Sequence, residues 1–172
     1  MTFSCYFGVD PGLEDTGWCL MHSVKSTRVI LGSGQVSTKP CLPDAKRIEF
    51  ICVGLQSIVT QARAGGIEPD VAVVEQYVYQ GLRSQTKNAF RISRLVGAIE
   101  SAMRACNLEL RGYTIGQSLA SMGCASNASK AVAKMAVARI GKVDRYDIHF
   151  PSNEHQRMAF AQCWCAAQRR IA

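Results

Sequence analysis

Two carboxylates stand where short apolar runs end. Phe7-Gly8-Val9 leads into Asp10, and Pro11-Gly12 stops that run at once; Val71-Ala72-Val73-Val74 leads into Glu75. An acid at the carboxyl end of a strand is held rigidly, and that is where open α/β sheets place their sites. Hard divalent cations need fixed oxygen ligands of this kind, and a pair of cations so held can activate water against a phosphodiester. Asp-Pro-Gly alone also reads as a turn in which Asp10 bonds its own backbone. The second acid, Glu75, favours the site.

Positioning two such acids requires their strands to be neighbours. Alternation and turn residues predict three early strands, about 3–9, 17–24 and 28–36, forming an antiparallel meander. Ser37–Pro43 reads as a loop, and Asp44 as the start of a helix over 44–63, in which Ile48, Ile51, Leu55, Ile58 and Val59 recur at helical spacing. Ala64-Gly65-Gly66 ends that helix before the strand Val71–Val74. A long amphipathic helix over 84–106 keeps Ile92, Leu95, Val96, Ile99 and Met103 on one face. A short strand over 108–113, helices over 115–122 and 128–140, and a helix over 153–171 follow. Three strands and then alternating helix and strand make an α/β layered chain, read as a single domain over 1–172.

Five segments in this order resemble the RuvC-type Holliday junction resolvases of the RNase H-like nuclease superfamily. They are Asp10-Pro11-Gly12 with Thr16-Gly17, Glu75-Gln76 after its apolar strand, the Gly-containing helix Arg94-Leu95-Val96-Gly97-Ala98-Ile99-Glu100, Ser129-Lys130 opening a basic helix, and an Ala-rich helix after 153. The resemblance covers nearly the whole chain. It implies a ribonuclease H fold with a central mixed five-stranded sheet flanked by helices. It also implies structure-selective endonuclease activity on four-way DNA junctions, with Mg2+ as cofactor and Mn2+ as its substitute, and a homodimer formed through the Gly97 helix. A branch-migration helicase is left open as a further partner.

One position departs from the family. Its remaining ligands come from the start of the last helix, as an Asp preceded three residues earlier by Asp or His. The matching segment here puts His155 on the first position and Met158 on the second. A thioether is a poor ligand for a hard cation. A shifted frame puts Asn153 and Gln156 there instead, both neutral oxygen donors. Glu154, one turn before Met158, is the residue expected to reach the metal in place of the missing Asp. The catalytic set is therefore read as Asp10, Glu75, Glu154 and His155, with Asp10, Glu75 and Glu154 on the metal. The contrasting reading is a protein that binds branched DNA on the same fold without cutting it. A nuclease acting on RNA–DNA hybrids is a third, which the Gly97 helix and the basic second half make less attractive.

The net charge of +7 is unevenly shared: residues 1–82 hold six Lys and Arg against eight acids, and residues 83–172 fourteen against five. That excess suits a polyanion. After Glu75, Tyr77 and Tyr79 offer rings for an unpaired base, although either also fits packing on the sheet, and Arg83 and Lys87 offer charges for phosphates. Lys130 and Lys134 stand one turn apart on a helix whose start Asn127 or Ser129 can cap. By resemblance Lys130 matches a backbone-binding lysine, while a lysine many relatives carry upstream falls here at Leu119.

Eight cysteines, at 5, 19, 41, 52, 106, 124, 163 and 165, include no Cys-x-x-Cys pair, and there are three histidines. Zinc is not expected, and most of the thiols read as small buried hydrophobes in a reducing compartment. With no membrane-length apolar run and no targeting signal at Met1, the expected place is the cytoplasm of a bacterial or phage-infected cell, away from any membrane.

Overall fold

The computed structural model describes residues 4–24, 27–76, 86–125, 135–136, 140 and 153–169. Its sheet has five strands, β1 (Ser4–Asp10), β2 (Asp15–Val24), β3 (Thr27–Ser37), β4 (Val71–Glu75) and β5 (Glu109–Tyr113), in the spatial order β3-β2-β1-β4-β5. β1, β2 and β3 form the expected antiparallel meander, and β4 and β5 join β1 as parallel strands. The described helices are α1 (Asp44–Ala64), α2 (Thr86–Ala105), α3 (Ile115–Ser121) and α4 (Glu154–Arg169). The helix expected over 128–140 falls almost wholly outside the described residues.

Side chains alternate across a strand, so parity decides which layer each residue meets. Cys5, Phe7 and Val9 of β1 join Ala72 and Val74 of β4 in the core beneath α1 and α2. Tyr6 of β1, Cys19 and Met21 of β2, and Val71 and Val73 of β4 join the opposite core, with α3 and α4. Asp10 shares its parity with Tyr6, and Glu75 with Val71 and Val73. Since Val9 pairs with Val74 in the parallel ladder, the two acids end neighbouring strands on the α4 side.

The α4 helix reaches that face because two glycines make room. Gly8 of β1 and Gly17 of β2 also have α4-side parity. A Cβ on Gly8 would collide with the Ala159 carbonyl oxygen and the Cys163 sulfur, and one on Gly17 with the His155 backbone. Cys163 lies 3.7 Å and 3.5 Å from the carbonyl oxygens of Tyr6 and Cys19. Ten consecutive residues of α4, Met158 to Ala167, are buried. With β1 and β2 on one side and α3 also packed against it, α4 is buried on more than one face, which small Ala and Cys side chains allow.

The thiols are only partly as expected. Cys5, Cys19, Cys163 and Cys165 are buried and Cys41 is exposed; all eight are free. Cys41 sits in the loop before α1, where no layer covers it. Asp44 is the first residue of α1, following Pro43 at the cap, and its carboxylate makes two bonds of 2.6 and 2.7 Å with Arg91 of α2, tying the two helices together. No described helix is long and apolar enough to cross a membrane.

The close approach is testable through glycine. Gly8→Ala should lower the stability to urea by about 1–3 kcal/mol, because backbone and a buried sulfur must move. Gly97→Ala in α2, where nothing lies within 4 Å of the new Cβ, should instead raise it by about 0.5–1 kcal/mol. A Gly8→Ala protein as stable as the parent would show that α4 does not depend on this contact.

Candidate active site

The turn after β1 is closed by the residues that define its motif. Thr16, fully buried, donates its hydroxyl to the Gly12 carbonyl at 2.7 Å. Gly12 has no room for a side chain, since a Cβ would strike the Asp15 carbonyl. Thr38 secures the far side, its backbone N–H donating to the Glu14 carbonyl and its hydroxyl to the Leu13 carbonyl. Arg47, buried in α1, donates to Thr38 Oγ1 at 2.9 Å. The turn thus holds itself together without the Asp10 carboxylate.

That carboxylate meets His155 instead, with Nδ1 at 2.7 Å from Asp10 Oδ2. His155 stands in the first turn of α4, whose start is capped by Asn153: its Oδ1 accepts from the Gln156 N–H at 2.9 Å, and its amide donates to Gln35 of β3. The shifted frame, with Asn153 and Gln156 facing the carboxylates, does not match this geometry, because Asn153 is used as the cap.

Glu75 completes the group from β4. Burial, then the Asp10 charge and a hydrogen bond with Asp10, push its carboxyl up to about 8, and Gln162 and His155 oppose that shift. Without a cation, burial and the neighbouring Asp10 charge keep the Glu75 carboxyl protonated near neutral pH. His155 is held above its ordinary value, first by the hydrogen bond with Asp10 and then by the charges of Asp10, Glu154 and Asp15, against a lowering by burial.

Gln162 is the residue that sequence reasoning missed. It lies two turns after His155 on α4, is fully buried, and places Nε2 3.5 Å from Glu75 Oε2. The signal was its polarity in a run of Ala and Cys, seven residues after His155.

The expectation for Glu154 changes. Glu154 is exposed while Met158 is 8% exposed and packed in the core, so the two do not share one environment. What Glu154 contributes here is charge toward His155. Tyr77, Tyr79, Arg83, Lys130 and Lys134, and the side chain of Lys87, lie outside the described residues. Beside His155 a cavity of about 360 Å3 opens, lined among others by Gly12, Leu13, Asp15, Arg47 and Arg91.

Among the described residues no three His, Cys, Asp or Glu side chains gather as a metal cluster. The fit to a divalent cation rests on the donor set: the neighbouring carboxylates Asp10 and Glu75, the second raised by burial and by the first one's charge, with a buried amide oxygen, Gln162 Oε1, that has no partner among the described residues.

Comparison with known proteins matches residues 6–163 to the family described as crossover junction endodeoxyribonuclease RuvC, a span holding Asp10, Glu75 and His155. The chain belongs to the RuvC family. Among curated RuvC proteins, that of Rhodopseudomonas palustris is 38% identical over 69 residues, 40% of this chain and 37% of that protein. That of Natranaerobius thermophilus is 24% identical over 162 residues, 94% of each chain. Thermus thermophilus RuvC, solved in complex with Holliday junction substrate, superposes with a TM-score of 0.76 at 18% identity, covering 98% of this chain and 96% of that one. The RNase H-like fold of RuvC is therefore the fold of this chain.

The carboxylate pair makes a titration testable. Without divalent metal, the Glu75 carboxyl should titrate near 8 by carboxyl-carbon NMR, and Asp10→Asn should bring it down by removing the repulsion. The sign for stability follows: the folded state keeps a proton that the unfolded chain releases near 4.5, so this group's contribution is full below 4.5 and is lost as pH rises to about 8. The raised His155 acts in the same direction above 6.5. A Glu75 carboxyl that titrates near 4.5 in the metal-free protein would contradict the pairing.

Proposed function

We propose that this chain resolves four-way DNA junctions by divalent-metal-dependent hydrolysis of a phosphodiester, with Asp10 and Glu75 as the carboxylates that hold the metal. The observation that carries the proposal is the pair itself: neighbouring parallel strands end in acids on one face, and the Asp10 charge raises the cost of ionising Glu75. Magnesium is the cation whose hardness suits this oxygen set, with manganese as its substitute. Such a metal, when bound, supplies a nucleophile from water at neutral pH and neutralises charge on the phosphate oxygens.

The chain's own residues supply the rest. Asp10 is fixed at a strand end by β1 and by the self-closed turn, so its oxygens do not wander. His155 bonds to Asp10 through Nδ1 and is 39% exposed in its side chain, beside the cavity. From there it holds Asp10 in orientation and can carry a proton next to the phosphate. Met158 is buried packing and offers the metal nothing. Glu154 at the helix start keeps negative charge near His155.

Branched DNA as substrate has further support in the charge of the second half and in family membership. Tyr77, Tyr79, Arg83, Lys87, Lys130 and Lys134 are proposed as its contacts on sequence grounds alone. A homodimer would present two sites to a nearly two-fold junction. Its support is the open surface at Gly97 together with exposed Phe90 on the same helix. A single domain in a reducing cytoplasm is the setting proposed for this activity, and a helicase partner stays open.

Asp10→Asn tests the core of the proposal. It should reduce magnesium-dependent nicking of a synthetic four-way junction by about two orders of magnitude or more, since even outer-shell partners of a metal contribute about 10- to 100-fold. Junction affinity in a gel shift without metal should hold or tighten, one negative charge near the phosphates being gone. Nicking at the parent rate would place the cutting elsewhere.

A further inference from the structure

We infer that Gln162 belongs to the metal site as its neutral oxygen donor, holding Glu75 and supplying the oxygen that Met158 does not. The inference rests on the proposed function and deepens it.

His155 and Gln162 are seven residues apart, two turns of α4, and so lie on one face of the helix. His155 reaches Asp10 from that face and Gln162 reaches Glu75. Gly17 and Gly8 let this face sit against the sheet at the height of both acids.

A fully buried amide needs partners, and among the described residues this one has too few for a merely structural part. At 3.5 Å its bond from Nε2 to Glu75 is long, and Oε1 meets no donor among the described residues. The end of the side chain is close to symmetric in shape, so a half-turn exchanges nitrogen and oxygen beside Glu75 without moving the helix. A cation drawn to Glu75 would find an oxygen there that is already desolvated and already confined.

Charge favours an amide in this place. Asp10 and Glu75 bring two negative charges, which one divalent ion balances; an amide adds a ligand oxygen without adding a third. The thioether of Met158 on the same helix cannot do so. Glu154, exposed at the helix start, is left to act on His155 through its charge.

The test is Mn2+ binding to the purified full chain, followed by electron paramagnetic resonance, with unfolding temperatures measured in EDTA. Gln162→Leu removes both polar atoms at similar size, and should weaken Mn2+ binding about tenfold while the EDTA unfolding temperature holds or rises. Gln162→Glu should tighten Mn2+ binding about tenfold. A purely structural Gln162 would instead lower the unfolding temperature of Gln162→Leu and leave the affinity unchanged in both variants, which overturns the inference. If Gln162→Leu fails to fold, Gln162→Glu decides: binding no tighter than the parent's overturns it. Asp10→Asn separates this inference from the reading beneath it. Loss of Mn2+ in Asp10→Asn with no change in either Gln162 variant removes Gln162 alone, whereas a parent that binds Mn2+ no better than Asp10→Asn removes the metal site and Gln162 with it.

Discussion

Gly8 and Gly17 carry no side chains where α4 crosses β1 and β2, and the distance between that helix and the sheet sets nearly everything else in the site. Without the gap at Gly17, the His155 backbone could not come down beside Asp10, its cross-strand neighbour being Gly17 itself. Without the gap at Gly8, the Ala159 carbonyl would be lifted away, and the rest of α4 with it. The composition of α4 follows from the same constraint. A helix buried over Met158–Ala167, with β1 and β2 below it, has room for Ala and Cys and for few large residues.

The close layer also explains the electrostatics. Asp10 and Glu75 lie on the α4 face because of strand parity, and α4 then covers them, so burial and mutual repulsion act together on Glu75. An open strand end would leave Glu75 hydrated and ordinary. His155 relieves part of the strain from one side and Gln162 from the other. The group is poised for positive charge: a proton in its absence, a cation when one is present. The turn from Pro11 to Thr16 leaves the Asp10 carboxylate free to face this group by closing on Thr16 instead.

Much of this was legible in the residues. Continuous apolar runs placed β1 and β4 to within a residue or two, because both strands are buried on both faces and a Pro-Gly turn or a charged residue ends each run. The pairing of the two strands, and hence of the two acids, came from resemblance rather than spacing, since nothing local says which strands are neighbours. The helix start at Asn153 was readable as a polar cluster and His155 was chosen there by resemblance, while the capping role of Asn153 had to be seen in the structure. Gln162 was not legible as part of the site because a lone polar residue in an apolar run carries no address; only the helix position and the sheet distance give it one. Gly8 and Gly17 spoke even less, since a glycine records what must not be there. The Asp44–Arg91 pair joins residues 47 apart, and no sequence signal predicts a contact of that range. Met158 is buried and apolar where the resemblance expects an Asp, and Glu154, expected to compensate, is exposed at the start of α4.

The central claim is that α4 lies close enough to the sheet for Asp10, Glu75 and the α4 residues to act on one bound cation. Anomalous diffraction from crystals grown with Mn2+ tests it directly, because the ion locates itself. The account predicts a manganese peak within about 2.0–2.6 Å of oxygens of both Asp10 and Glu75, beneath the first turns of α4. Manganese bound with full occupancy elsewhere, with no peak between Asp10 and Glu75, would contradict it.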